Sequence, residues 1–152
     1  GKGTQILANG NKYEGQWKNG KKDGLFILTT KEGKKYEEKW GNDEKPEIVT
    51  NIYNDGSKFQ GEFKDEKFHG KGLLKLPGGD IYDGEFNNGI KEGKGKFLTN
   101  NGIKYEGMWK NGKMEGKGII TLQDGEKFVG KFKDGKQFGK GKFVLQNGEK
   151  LI

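Results

Sequence analysis

The sequence contains no cysteine, no arginine, two prolines and one histidine. Without cysteine there is no disulfide and no thiolate ligand, a pattern that suits an intracellular protein without requiring one. Without arginine the chain lacks the planar fork that reads guanine edges and grips phosphate in two places. Base-specific nucleic-acid recognition is therefore disfavoured. A lone His69 with no cysteine excludes any Cys/His metal spacing, so neither a metal nor another cofactor is expected. No apolar run approaches the ~18–20 residues of a membrane-spanning helix. Hydrophobic residues make up only 29%, and mean hydropathy is −1.03, close to the range of disordered chains. The chain starts at Gly1 rather than Met, which leaves any targeting segment outside it an open expectation.

What the chain does have is 29 glycines and 12% aromatic residues, and both recur at a fixed step. From Tyr105, steps of 23 residues lead back to Tyr82, Phe59, Tyr36 and Tyr13, and forward to Phe128. The same step from Trp109 gives Phe86, Phe63, Trp40 and Trp17, and Phe132 ahead. Gly116 and Gly118 recur as Gly93/Gly95, Gly70/Gly72 and Gly139/Gly141, and a third glycine series runs from Gly10 to Gly148. The whole chain, 1–152, is one array: a partial unit at 1–12, then units starting at 13, 36, 59, 82, 105 and 128.

Within a unit the pattern alternates with period two, which argues strands. Tyr105, Gly107 and Trp109 share one face, while Glu106, Met108 and Lys110 take the other. Asn111-Gly112 is a two-residue hairpin turn, matched by Asn19-Gly20, Asn88-Gly89 and Asp134-Gly135. Counting back across that turn sets Gly116 opposite Gly107 and Gly118 opposite Tyr105, so that each ring covers a residue without a side chain. Ile120 and Leu122 continue the same face, as do Leu74 and Leu76, and Phe143 and Leu145. Between units, parity selects a three-residue loop, Gln123-Asp124-Gly125 with a left-handed glycine, which sets Ile120 opposite Phe128. Asn54-Asp55-Gly56, Asn100-Asn101-Gly102 and Gln146-Asn147-Gly148 fit the same template. The expected fold class is all-β: an elongated, single-sheet antiparallel meander of 23-residue hairpin repeats, solenoid-like in that neighbouring units stabilise one another.

Units such as "YEGMWKNGKMEGKGIITLQDGEK" and "YDGEFNNGIKEGKGKFLTNNGIK" resemble MORN repeats (membrane occupation and recognition nexus), whose pattern is Y-x-G-x-W/F followed by G-x-G. The resemblance implies a twisted, grooved β-sheet and a scaffold role, in cytoskeletal structures, cilia and flagella, membrane-linked assemblies or the regulatory arm of an enzyme. It also implies an elongated partner in the groove or, alternatively, a phospholipid. The unit at 36–58 departs from the pattern and reads as degenerate. Glu38 replaces the strand glycine, Glu47 and Val49 replace the later pair, Pro46 removes a backbone donor, and Asp43, Glu44 and Glu47 form an acidic cluster. Phe26, in place of a glycine, carries the irregularity back one unit.

Nothing in the sequence supports catalysis. His69 occupies a turn-side position held in other units by Asp23, Pro46, Glu92, Glu115 and Phe138, and reads as a solvated repeat residue. The glycines of "GKGK" at 93–96 are repeat elements, and no helix follows them to cradle a phosphate. Charge is uneven: residues 1–90 carry 15 Lys and 15 Asp plus Glu, whereas 91–152 carry 14 Lys and 7 acids, so the net +7 resides there. The rows Lys71/Lys94/Lys117/Lys140 and Lys104/Lys127/Lys150 read as a solvated outer face with weak ion pairs, or as a basic strip. The leading functional expectation is a non-enzymatic scaffold that docks a partner chain on an uncovered aromatic band, Tyr82, Phe86, Tyr105, Trp109, Phe128 and Phe132. The alternative is a peripheral module meeting an anionic phospholipid surface through Lys94, Lys117 and Lys140. A homo-oligomer is compatible with the sequence, and the expected location is cytoplasmic, with the resemblance implying association with the cytoskeleton or a cilium.

Overall fold

Asn111 and Gly112 both lie at positive φ, 52° and 80°, which makes a two-residue reversal whose twist matches that of the strands it joins. The same turn appears at Asn19-Gly20, Asn88-Gly89 and Asp134-Gly135. In the computed structural model, which describes residues 1–41, 46, 48–65, 67–148 and 150–151, these turns organise an all-β chain without helices among the described residues. The chain groups into two compact units, Gly1–Gln60 and Gly61–Ile152. The first holds β1 (Lys2–Ile6), β2 (Lys12–Lys18), β3 (Lys21–Thr29), β4 (Lys35–Gly41) and β5 (Ile48–Ile52). β6 (Lys58–Lys64) spans the boundary residue. The second holds β7 (Lys67–Lys75), β8 (Ile81–Asn87), β9 (Ile90–Leu98), β10 (Lys104–Lys110), β11 (Lys113–Thr121), β12 (Lys127–Lys133), β13 (Lys136–Val144) and β14 (Lys150–Leu151). Within each unit, every strand pairs antiparallel with the next in sequence, giving a hairpin meander.

The loops between repeats follow the parity expectation. Ile120 stands opposite Phe128. The Gly125 amide donates to the Leu122 carbonyl at 3.0 Å, and the Leu122 amide to Glu126 at 2.8 Å, closing the loop around a glycine at φ 90°. Gly56, Gly102 and Gly148 close their loops in the same way, donating to Tyr53, Thr99 and Leu145.

The register within a hairpin differs from the expectation. Gly107 is opposite Gly118, not Gly116, and Tyr105 is opposite Ile120, not Gly118. From Gly107 to Trp109 β10 advances two residues, while from Gly118 to Met114 β11 advances four, so β11 carries a bulge with two extra residues. The bulge is built on Gly116, at φ 73°. The same shift recurs in β3, β9 and β13, around Gly24, Gly93 and Gly139. The two glycines of each G-x-G therefore have different roles. The first bends the strand, and the second supplies the space beneath a ring.

That second role forms a row of glycine pairs across the second unit: Gly72 with Gly84, Gly84 with Gly95, Gly95 with Gly107, Gly107 with Gly118, Gly118 with Gly130. A β-carbon at Gly118 would lie 2.5 Å from the Tyr105 ring. The ring thus covers Gly118 by lying along its own strand instead of facing it across the pair. Its hydroxyl, carried past Gly107, donates to the Met108 carbonyl at 3.0 Å, and Tyr82 does the same to Glu85 at 2.8 Å.

In the first unit, Phe26 fills the position of a ring-covered glycine and is fully buried, packed edge-on against Trp17 at 5.2 Å. Glu38, at a strand-glycine position, is buried too and accepts the Trp40 indole N–H at 3.1 Å. β5 has five residues where β3, β7, β9, β11 and β13 have nine. Pro46 lies outside it. The acidic cluster Asp43, Glu44 and Glu47 lies outside the described residues. His69 is half-buried, with Nδ1 inaccessible and without a hydrogen-bond partner, so it is not the solvated residue its turn-side position suggested.

Candidate interaction surface

Alternation along β8 to β13 puts aromatic residues on one face and charge on the other. The structure brings Tyr82, Phe86, Tyr105, Trp109, Phe128 and Phe132 together on the first face. Their rings meet edge to face: Tyr82 with Phe86 at 5.0 Å and with Trp109 at 5.3 Å, and Tyr105 with Trp109 at 5.3 Å and with Phe132 at 5.1 Å. Phe128 and Phe132 close the series at 6.0 Å. Such pairs add about 0.5–1.5 kcal/mol beyond area burial. The six residues are only 0–8% exposed. The band is therefore not uncovered: with glycines beneath them and ring edges against them, the aromatics bury one another. Phe63, at the same repeat position as Phe86, meets Phe68 edge-on at 5.7 Å but is 44% exposed.

Accessible apolar surface on this face lies beside the buried rings. Phe97 leans on Trp109 at 6.1 Å and stays partly exposed, as does Ile120. Phe143 packs on Phe128 at 5.1 Å, with 43% of its surface open, and Leu122 is 40% exposed. Ile103, Leu122, Gln123 and Asp124 line a shallow open depression at a loop. Phe97 was not singled out by sequence. Its signal is the repeat position it shares with Leu74, Ile120 and Phe143.

One cation also belongs to the aromatic face. Lys91, opposite Phe86, holds its ammonium 4.7 Å from the Phe97 ring centre, 5.2 Å from Trp109 and 5.4 Å from Tyr82. Burial lowers its pKa, with Asp80 opposing. In the first unit Lys22 takes the same repeat position, 3.5 Å from the Tyr13 ring centre and 4.4 Å from Trp40. Its pKa is also lowered by burial, against the charge of Glu38. Burial raises the pKa of Tyr13, Tyr82 and Tyr105.

The opposite face carries Lys94, Lys117 and Lys140, all exposed. Ion pairs here are exposed: Lys104 with Glu106 at 2.8 Å, Lys96 with Glu106 at 3.9 Å, and, in the first unit, Lys12 with Glu14 at 3.0 Å and Lys58 with Glu37 at 3.8 Å. The hydrogen bond from Lys104 is the main reason the Glu106 carboxyl sits below its usual range. Pairs of this kind contribute at most about 1 kcal/mol. Lys117 and Lys131 are directly opposite each other, a like-charge pair. Among the described residues, no group of three His, Asp or Glu side chains is arranged to hold a metal ion.

The model of the family described as MORN repeat matches residues 13–25, 59–81, 82–104, 105–127 and 128–150. Each stretch begins where a 23-residue unit begins, and the departing unit at 36–58 is not among them. No curated protein sequence matches the chain. Among solved structures, the chain is similar to the TCP domain of Drosophila melanogaster SAS-4 (dCPAP), determined in complex with a proline-rich motif of Ana2 (dSTIL). The TM-score is 0.50 at 18% identity, covering 99% of this chain and 88% of that one, a likeness of fold.

Proposed function

The chain belongs to the MORN-repeat family, and on that premise we propose that it is a non-catalytic scaffold that docks an extended partner segment on the aromatic face of its second unit. The observation that carries this reading is the accessible apolar row formed by Phe97, Ile120, Leu122 and Phe143, seated on a floor of mutually buried rings. Rigid aromatic floors suit docking because little side-chain entropy is lost on binding. In this reading the six buried aromatics shape the surface, and the residues beside them make the contacts. Support also comes from the structural neighbour, a TCP domain solved in complex with a proline-rich motif. We place the assembly in the cytoplasm, in a cytoskeletal or ciliary structure, a setting supported by the family resemblance alone. Microscopy of the tagged protein tests that setting.

A photo-reactive residue placed at Ile120 or at Ile119 tests the choice of face, because the two positions point to opposite sides of β11. Cross-links to one partner from position 120, lost on Phe143→Glu, support the reading. Cross-links from position 119 alone overturn it. A second reading, contact of Lys94, Lys117 and Lys140 with an anionic phospholipid surface, draws on the exposure of those lysines. It requires flotation with anionic vesicles that disappears at high salt.

A further inference from the structure

The bulges of the second unit offer an internal comparison, because one repeat position is chemically different from copy to copy. In the copy starting at 59, Glu62 accepts the backbone amide of Lys71 at 2.9 Å. In the copy starting at 82, Glu85 accepts the amide of Lys94 at 2.7 Å. The Lys94 amide follows the bulge glycine Gly93 and points out of the strand ladder where the extra residues of β9 open it, and the Lys71 amide likewise follows a glycine at positive φ, Gly70. A carboxylate on the neighbouring strand is thus the partner that this bulge takes, through a charge-assisted hydrogen bond.

In the next two copies the residues at that position are Met108 and Lys131. Neither carries an acceptor oxygen. The bulges themselves persist, with Gly116 at φ 73° and Gly139 at φ 71°. Around the amides of Lys117 and Lys140 the charge has also reversed. Lys117 stands directly opposite Lys131, and Met108 opposite Lys94. Like charges placed directly opposite one another destabilise a sheet. The nearby carboxylates are engaged elsewhere: Glu106 with Lys104 and Lys96, and Glu115 with the Asp134 amide at 3.1 Å. Exposed apolar side chains flank the lysines, with Met108 at 40%, Ile119 at 36% and Val129 at 38%.

We propose that the bulges at Gly116–Lys117 and Gly139–Lys140 are carboxylate-binding sites, and that this outer face docks an acidic polypeptide segment whose side chains take the place Glu62 and Glu85 fill in the preceding copies. The ligand class follows from the internal ligand, a carboxylate at sheet level. A bilayer would present phosphates to the tips of the lysines and leave the amides at the sheet surface untouched. The two bulges are two strands apart, about 10 Å. A polyproline-type segment repeats its face every third residue, about 9.3 Å. A peptide repeating Glu-Pro-Pro therefore presents carboxylates at the required spacing.

The experiment measures binding of a labelled Glu-Pro-Pro peptide to the full chain by fluorescence anisotropy, with Gln-Pro-Pro as control and phosphatidylserine vesicles in parallel. Amide NMR reports where the peptide sits. Expected results are binding of the Glu peptide only, with shifts at the amides of Lys117 and Lys140 but not at those of Lys71 and Lys94. Met108→Glu and Lys131→Glu each install the residue type of the preceding copies, so the fold has a precedent for them. Each is expected to weaken binding about tenfold or more. Lys133→Glu makes the same charge change as Lys131→Glu, away from the bulge, and is expected to weaken binding less than about threefold. Equal losses for Lys131→Glu and Lys133→Glu would reduce the effect to diffuse charge and overturn the proposal. So would equal binding of the Gln peptide, unmoved Lys117 and Lys140 amides, or binding to vesicles without binding to the peptide.

Discussion

Replacing Gly107 with alanine adds one methyl group where the structure has no room for it. The new β-carbon would lie 2.6 Å from the Lys117 carbonyl oxygen, 2.7 Å from the Tyr105 hydroxyl and 2.8 Å from the Gly118 α-carbon. Comfortable contact begins at about 3.5 Å. Two of the three atoms are backbone of β11, which is held in register on both sides and cannot retreat. The third belongs to a ring that can move only by giving up its 3.0 Å hydrogen bond to the Met108 carbonyl. Overpacking costs about 1–3 kcal/mol, and the lost hydrogen bond adds about 0.5–1.5 kcal/mol. Reduced freedom of the unfolded chain offsets about 0.4–1 kcal/mol. The expected net destabilisation is therefore about 0.5–4 kcal/mol, centred near 2, large for a single methyl. Urea denaturation followed by tryptophan fluorescence measures it, and hydrogen exchange along β10 and β11 locates it. In a Tyr105→Phe background most of the penalty should persist, because the backbone contacts remain. An unchanged or higher midpoint for Gly107→Ala would show that the glycine row is not the packing device described above.

Gly125→Ala isolates conformational strain: no atom lies within 4 Å of its β-carbon, but φ is 90°, so a loss of about 1–2 kcal/mol is expected in the same urea assay. Glu38→Ala strips the Trp40 indole of its acceptor and should cost about 1–3 kcal/mol, whereas Glu38→Gln, which keeps an oxygen, should recover much of that. Burial raises the Tyr82 pKa above its ordinary 10.0, so the neutral phenol stabilises the fold fully below that pH, and the contribution is lost as pH rises from there through the folded value. Urea midpoints measured between about pH 9 and about pH 11 should fall less steeply for Tyr82→Phe than for the native chain.

The period, the two-residue turns and the loop glycines were legible because each is local: an Asn-Gly pair or a glycine after two polar residues carries its own backbone signature. The hairpin register was not, because counting back from Asn111-Gly112 assumes that neither strand holds an extra residue. The evidence for a bulge was nevertheless present in the repeated G-x-G. Covering by a ring requires one glycine, Gly118, and leaves Gly116 unexplained until a positive φ is assigned to it. The aromatic face was legible as a stripe, but its exposure was not. Burial here depends on how far Tyr105 lies along β10 and on Trp109 meeting both Tyr82 and Tyr105, neither of which alternation specifies.

The lysine rows show a different limit of sequence reading. Periodicity collected Lys71, Lys94, Lys117 and Lys140 into one row and made them look equivalent. Their side chains are equivalent, but their backbones are not, because the amides of Lys71 and Lys94 are held by Glu62 and Glu85 from the neighbouring strand. The residue that decides the chemistry of each position is thus nine places earlier, on another strand, and matters only once the bulge aims an amide at it. Met108 and Lys131 look like ordinary variation on an exposed face. Once Glu85 is seen to be a ligand, their lack of an oxygen distinguishes the last two copies from the two before them.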